Sequence, residues 1–321
     1  MPQINTPGAV RQQSEKLFAD LRALRSHLLL PVEEIRSMRW VQDHKLIGIL
    51  LLGLFPIAAL DLFQDSPQST YWCFGFYFSV LWALFFFRFF SPVGATRSNA
   101  VLCFLGTGVI SMAILFALLG MGLESLRDPW LASSNLVVST VSYIFFVGVP
   151  EELCKALVVI YLLKTAKSMV SLPTMVFYGL MSGLGFGIYE GMKYQMGENF
   201  TVMNDASTVN QGMATYYFDN MLRLTTLPFL HAMWTAIGAY FWSLGYLYRS
   251  RRRGLWAAAL GIPAILHGLH DGLSTAMPWI GLLVDIVSVM ALMMYLSRSQ
   301  EFEKVLREEG GVVTQGIQRS R

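Results

Sequence analysis

The sequence predicts an all-α fold: a polytopic membrane helix bundle of about eight transmembrane helices, with both termini in the cytoplasm. Three observations predict it. The chain of 321 residues is 54% hydrophobic and only 14% charged, whereas a soluble domain carries about 25% charged residues. Its apolar residues come in blocks of roughly twenty, the length that crosses a hydrocarbon core. Its Lys and Arg residues cluster in alternate connections between those blocks, which is a topology signal. The net charge of +3 is too small to point to nucleic acid.

The spans fall at 46–63, 70–90, 99–123, 136–163, 172–196, 219–248, 254–276 and 278–297. Before the first lies a polar arm, 1–43, expected to be a cytoplasmic amphipathic segment and not a cleavable signal peptide. It holds Arg11, Lys16, Arg22, Arg25, Arg36 and Arg39. Its acidic pair Glu33–Glu34 reads as a solvated face. The bundle then runs over 44–298, and 299–321 is a cytoplasmic tail with Lys304 and Arg307. Arg88 and Arg97 lie in the second connection, Lys164 and Lys167 in the fourth, Arg249 and Arg251 to Arg253 in the sixth. The opposite connections are poor in basic residues: 124–135 has only Arg127, and the long polar loop 197–218 has none. The three cysteines, Cys73, Cys103 and Cys154, are scattered through apolar segments and suggest no disulfide framework.

Five spans carry ionisable residues. The fourth has Glu151, Glu152 and Lys155; the fifth has Glu190 and Lys193; the sixth has His231; the seventh has His267, His270 and Asp271; the eighth has Asp285. A charge at the centre of a span costs roughly 2.5–3.5 kcal/mol on insertion scales. Such residues must therefore pair, protonate, bind an ion or line water, and they mark function by default.

Their depths agree. At about 1.5 Å per residue, Glu151 stands about 20 Å from the basic end of its span, Glu190 and His231 about 27 Å, His267 about 21 Å and Asp271 about 27 Å. One polar layer in the middle to outer half of the membrane follows. Glu151 and Lys155 share a helix face at i, i+4, and so do His267 and Asp271. Gly179, Gly183, Gly187 and Gly191 form a small-residue ladder that permits close helix approach beside Glu190. Pro150 precedes the acidic pair, and Pro228 stands three residues before His231. Simpler readings keep Glu151–Lys155, Glu190–Lys193 and His267–Asp271 as structural pairs and His231 as a hydrogen-bonded core histidine. One shared layer argues against all of them at once. His270 and Asp285 are read as structural.

Glu151-Glu152-x-x-Lys155, Phe186-x-x-x-Glu190, the lone His231 and His267-x-x-x-Asp271 together resemble the motifs of the PrsW family of intramembrane proteases. That family is related to the CAAX prenyl proteases and the bacteriocin-immunity-type membrane proteases. The CAAX branch resembles EExxxR, FxxxH and HxxxN instead, and this chain departs from it with Lys155, Glu190 and Asp271. The resemblance covers about 136–275, which it implies is the catalytic core. It implies an intramembrane endopeptidase that cuts a membrane-anchored protein, such as an anti-sigma factor, near its extracytoplasmic side, in a bacterial inner membrane.

Peptide hydrolysis needs an activated water and a stabilised oxyanion. In one version Glu151 is the base, Glu152 holds or shares its proton, His231 and His267 polarise the carbonyl, and Asp271 orients an imidazole. In the other, Glu190, His231, His267 and Asp271 hold a zinc ion, and Glu151 acts on its water. No HExxH is present, so a zincin helix is excluded while a dispersed site is not. Competing readings are a CAAX-type membrane protease, a serine hydrolase built on Ser182 and His267, a Cys154 nucleophile, a non-catalytic scaffold, and a proton- or ion-coupled transporter. A transporter would usually show an internal repeat, and none is visible.

Overall fold

In a computed structural model the described residues are Glu15, Phe18, Ala19, 44–62, 67–90, Pro92, 94–165, 171–196 and 209–299; side chains are left out at positions 44–46, 49–50, 60, 67–68, 70, 193–196 and 209–221. From His44 on they form eight helices, and no strand occurs among the described residues. These are α1 (His44–Leu62), α2 (Pro67–Phe90), α3 (Arg97–Leu131), α4 (136–165), α5 (Leu172–Met196), α6 (Val209–Leu247), α7 (Arg252–Ser274) and α8 (Pro278–Ser297). Most of the arm 1–43, the side chain of Lys193, the 197–208 part of the polar loop and the tail beyond Ser299 lie outside the described residues.

Among the described residues four helices are long and apolar enough to cross a membrane: Tyr71–Phe90, Arg97–Leu131, Leu172–Met192 and Pro278–Ser297. Eight spans are expected from the sequence, and the shortfall has a physical source in three of the rest. α4, α6 and α7 carry the acidic pair, the histidines and the basic ends, which lower their mean hydropathy. Two boundaries differ from expectation. The connection 124–135 contains a helical turn sequence, Glu124–Leu131, because α3 bends at Gly122 (φ +113°) and then resumes. Helix α6 starts at Val209 and runs for 39 residues, so the latter part of the long loop is helical.

The chain divides into two units, Met1–Asp65 and Ser66–Arg321. In the first, α1 is a 19-residue apolar helix with Pro56 inside. In the second, α5 is a central helix: 83% of its most apolar stretch is buried, against 22% for α2 and 28% for α8. It packs on α6, α2, α3 and α4, and α6 in turn packs on α7 and α8. Small residues make this possible. A methyl group on Gly179, Gly183 or Gly187 would overlap Ala239, the His231 carbonyl and Pro228 of α6, respectively. Between α4 and α7, Gly148 lies against Ala264 and Gly268 against Ile144. In a membrane, close backbone approach replaces the hydrophobic drive between helices. Here it brings α4, α5, α6 and α7 together at the level of their polar residues. The outer faces of α2, α3 and α8 expose Phe85, Phe89, Val109, Leu283 and Met290, as a lipid-facing surface requires.

Candidate active site

Helix α4 changes pitch just before the acidic pair. Ile144–Gly148 is a π turn, and the Val149 N–H donates to the Ile144 carbonyl five residues back. Pro150 follows. Proline has no N–H and its ring crowds the preceding turn, so a widened turn there relieves the clash. The same punctuation recurs on α6, where Pro228 precedes His231, and on α7, where Pro263 precedes His267.

Lys155 is fully buried and holds the first half of the site together. Its Nζ donates to Glu152 Oε1 at 2.8 Å and lies 3.5 Å from Glu151 Oε2. It is also 2.6 Å from His231 Nδ1 and 4.2 Å from the centre of the Phe186 ring. The helix that carries it is fixed to α5 through Ser182, whose hydroxyl donates to the Lys155 carbonyl at 3.0 Å and stands 2.6 Å from Thr107 Oγ1.

The imidazoles form the second half. His267 Nδ1 is 3.1 Å from Glu152 Oε1, so the ring donates that N–H to the carboxylate and turns Nε2 the other way. Nε2 faces Asp271 Oδ2 at 3.3 Å and Glu151 Oε2 at 3.7 Å. Trp234 stacks on His267, with centroids 4.5 Å apart and planes 17° apart. Its Nε1 donates to Ser288 Oγ of α8 at 2.9 Å. The His231 ring stands 5.0 Å from His267, nearly perpendicular, with Nε2 2.6 Å from Glu190 Oε2. Facing donor atoms of Glu151, His231 and His267 all lie within 4.8 Å of one another. Glu151 Oε2 is buried without a hydrogen-bond partner.

Glu151, Glu152, Lys155, Glu190, His231, His267 and Asp271 thus stand in one connected cluster drawn from α4, α5, α6 and α7. Glu152 is engaged by Lys155 and by Nδ1 of His267, while Asp271 meets Nε2 of the same ring. Asp271 lies at the rim, its side chain 25% exposed against 9% for Glu151. Among the described residues four carboxylates face a single lysine, so the ionised cluster carries an excess of negative charge there.

Residues outside the cluster have other duties. His270 Nδ1 meets Asp285 Oδ1 at 2.7 Å, tying α7 to α8. Cys154 is buried against Met112, Leu115 and Leu119 of α3. Trp234, Ser288 and Thr107 carry no mark of these duties in the sequence, and Pro263 only its placement before His267, as Pro228 stands before His231.

A family model described as PrsW family intramembrane metalloprotease matches residues 95–297. No curated protein and no solved structure matches the chain. The matched stretch contains every residue of the cluster and runs beyond the motif-bearing spans into α3 and α8, which supply Thr107 and Ser288. The chain therefore belongs to the PrsW family of intramembrane metalloproteases and is a membrane-embedded peptidase.

Proposed function

We propose that the chain is a multi-pass endopeptidase of a bacterial inner membrane that cuts a membrane-anchored protein, of the anti-sigma-factor class, near its extracytoplasmic side. In this reading eight helices span, both termini are cytoplasmic, and 136–275 is the catalytic core between the arm 1–43 and the tail 299–321. The single observation that carries it is the buried meeting of two imidazole nitrogens and the Glu151 carboxylate within 4.8 Å. The alternation of basic connections supports the orientation.

The residues fit a metal ion. Donors about 2.1 Å from one tetrahedral ion stand about 3.4 Å apart. The separations around His267 Nε2, 3.7 Å to Glu151 and 3.3 Å to Asp271, agree with that spacing. Glu151 Oε2 is buried without a hydrogen-bond partner, and a dication would offset the surplus of carboxylates. Glu151, His231 and His267 would hold the ion, a His₂Glu set suited to zinc, with Asp271 beside them. Glu190 fits less well as a ligand, because 2.6 Å from His231 Nε2 is too close for two tetrahedral partners. When bound, the metal supplies Lewis-acid activation of water and of the scissile carbonyl.

The chain's own residues do the rest. Glu190 takes a proton from the attacking water and delivers it to the amine released as the C–N bond breaks. Glu152 accepts the His267 Nδ1 proton and so keeps Nε2 turned inward. Trp234 fixes the plane of that ring. Lys155 neutralises Glu152, whose buried charge would otherwise go uncompensated.

One observation favours a second reading without metal. If the Lys155 ammonium donates to His231 Nδ1, the ring proton lies on Nε2, 2.6 Å from Glu190. That pair could move a proton directly. Cleavage of a transmembrane peptide by the purified protein tests both against transport. Wild type should cleave and His267→Ala should not. Ion flux in liposomes with no cleavage of any transmembrane peptide would sink the peptidase assignment.

A further inference from the structure

A second polar site lies at the basic ends of the same helices. A cavity of about 280 Å³ opens where α4, α6 and α7 end or begin. Its lining includes Lys164 of α4, Arg249 after α6, and Arg252 of α7, together with Trp242, Tyr246 and Trp256. Along each helix it stands about 20–27 Å from the acidic cluster, so it is separate from the chemistry described above.

Three cations from three elements converge there, and among the described residues no carboxylate pairs with any of them. Arg252 is held in place rather than left to solvent: its Nε donates to the Gly245 carbonyl at 3.3 Å, and its guanidinium lies 5.1 Å from the centre of the Trp256 ring. Trp256 in turn lies 5.3 Å from Trp242. It can do so because Gly245 has no side chain; a methyl there would overlap the indole. The Trp256 Nε1–H is buried in this wall without a hydrogen-bond partner. Tryptophan and tyrosine beside Lys and Arg are the residues that meet headgroups at a membrane interface. A guanidinium fork suits a phosphate group.

The surroundings give the direction of the ligand. Leu153, Leu157 and Tyr161 are exposed on one face of α4, at successive turns leading to Lys164. Ile160 and Leu163 form the apolar wall of the cavity. A phosphate seated among Lys164, Arg249 and Arg252 would have an apolar track for an acyl chain running up α4.

We infer that this cavity binds the phosphate of an anionic phospholipid, with its headgroup among Lys164, Arg249 and Arg252 and its acyl chain along Leu153, Leu157 and Tyr161. Occupied, it would clamp together the ends of three of the four helices that carry the acidic cluster. Basic pockets between transmembrane helices are a recurring way to hold such headgroups.

Delipidated full-length protein, titrated with phosphatidylglycerol or phosphatidylcholine in mixed micelles, tests this by native mass spectrometry and thermal unfolding. Phosphatidylglycerol should give a retained one-to-one adduct and a raised Tm, at concentrations at least about tenfold below those at which phosphatidylcholine does so. Arg249→Gln with Arg252→Gln should abolish that preference. Lys164→Gln alone, on an exposed side chain that the fold does not need, should weaken it about threefold to tenfold and serves if the double variant fails to fold. Equal retention of the two lipids, or an undiminished preference in Lys164→Gln and in any folded arginine variant, would overturn the proposal. Stabilisation by inorganic phosphate at equal concentration would reassign the site to a free anion and overturn the lipid. None of these outcomes depends on proteolysis, so failure here leaves the reading of the acidic cluster untouched.

Discussion

Glu151 and Glu190 are both buried glutamates at the centre of the cluster, yet their surroundings assign them different work. Glu151 Oε2 has no hydrogen-bond partner and sits among the donor atoms of two imidazoles. Glu190 Oε2 is 2.6 Å from one of those imidazoles. Glu151→Gln should therefore lose bound metal as well as activity. Glu190→Gln should keep the metal and lose at least about a hundredfold in turnover, the range of a missing general base. Metal analysis beside a cleavage assay separates them, and metal retained in Glu151→Gln would reverse the roles. Ser182→Ala should leave turnover within about twofold while costing about 1 kcal/mol of stability. Its hydroxyl is engaged by the Lys155 carbonyl and Thr107, neither of which is a general base; loss of catalysis in a folded Ser182→Ala protein would revive serine chemistry. Cluster residues were legible in the sequence because a charge inside an apolar run stands out whatever the fold does. Trp234 and Thr107 were not, since one aromatic or hydroxyl among many apolar neighbours carries no mark of the partner it will meet. Nor did the spacing reveal which imidazole nitrogen each carboxylate would reach, because that depends on three helices at once.

At the scale of the helix, position is set by glycines more than by polar contacts. Gly183 and Gly268 lie directly against the backbones of His231 and Ile144. Gly183→Ala or Gly268→Ala should push a site-bearing helix outward, costing about 1–3 kcal/mol by overpacking and far more in activity than in folding. Gly261, on the same helix as His267, has open space around it. Gly261→Ala should be neutral or stabilising by up to about 1 kcal/mol. Equal effects in thermal unfolding and cleavage assays at Gly261 and Gly268 would contradict the packing account. The glycine ladder of α5 was readable from its four-residue period, but its partner was not, since periodicity names a face and never the neighbour. The bend at Gly122 and the early start of α6 were hidden for a different reason. Both lie in polar or mixed sequence where hydropathy ends a span although the backbone continues as helix.

For the whole molecule the proposed orientation rests on the alternation of basic connections, a signal that acts during insertion. With Cys73, Cys103 and Cys154 replaced, a cysteine at Ser134 should react with an impermeant thiol reagent on intact cells, and one at Ser250 only after permeabilisation. The opposite pattern would invert the bundle and place the cluster's rim at the wrong face for an extracytoplasmic cut. The bundle matters because no single helix makes the site: α4 brings Glu151, α6 His231 and α7 His267, and only their joint packing brings together the three donors that could hold one ion. The most direct measurement is the metal content of purified, active protein, taken with its cleavage rate before and after chelation. One equivalent of zinc per chain should be found, activity should vanish with its removal and return with its addition, and His231→Ala and His267→Ala should each lose the ion. Full cleavage by protein that holds no metal would contradict the account and leave the Lys155–His231–Glu190 proton path in its place.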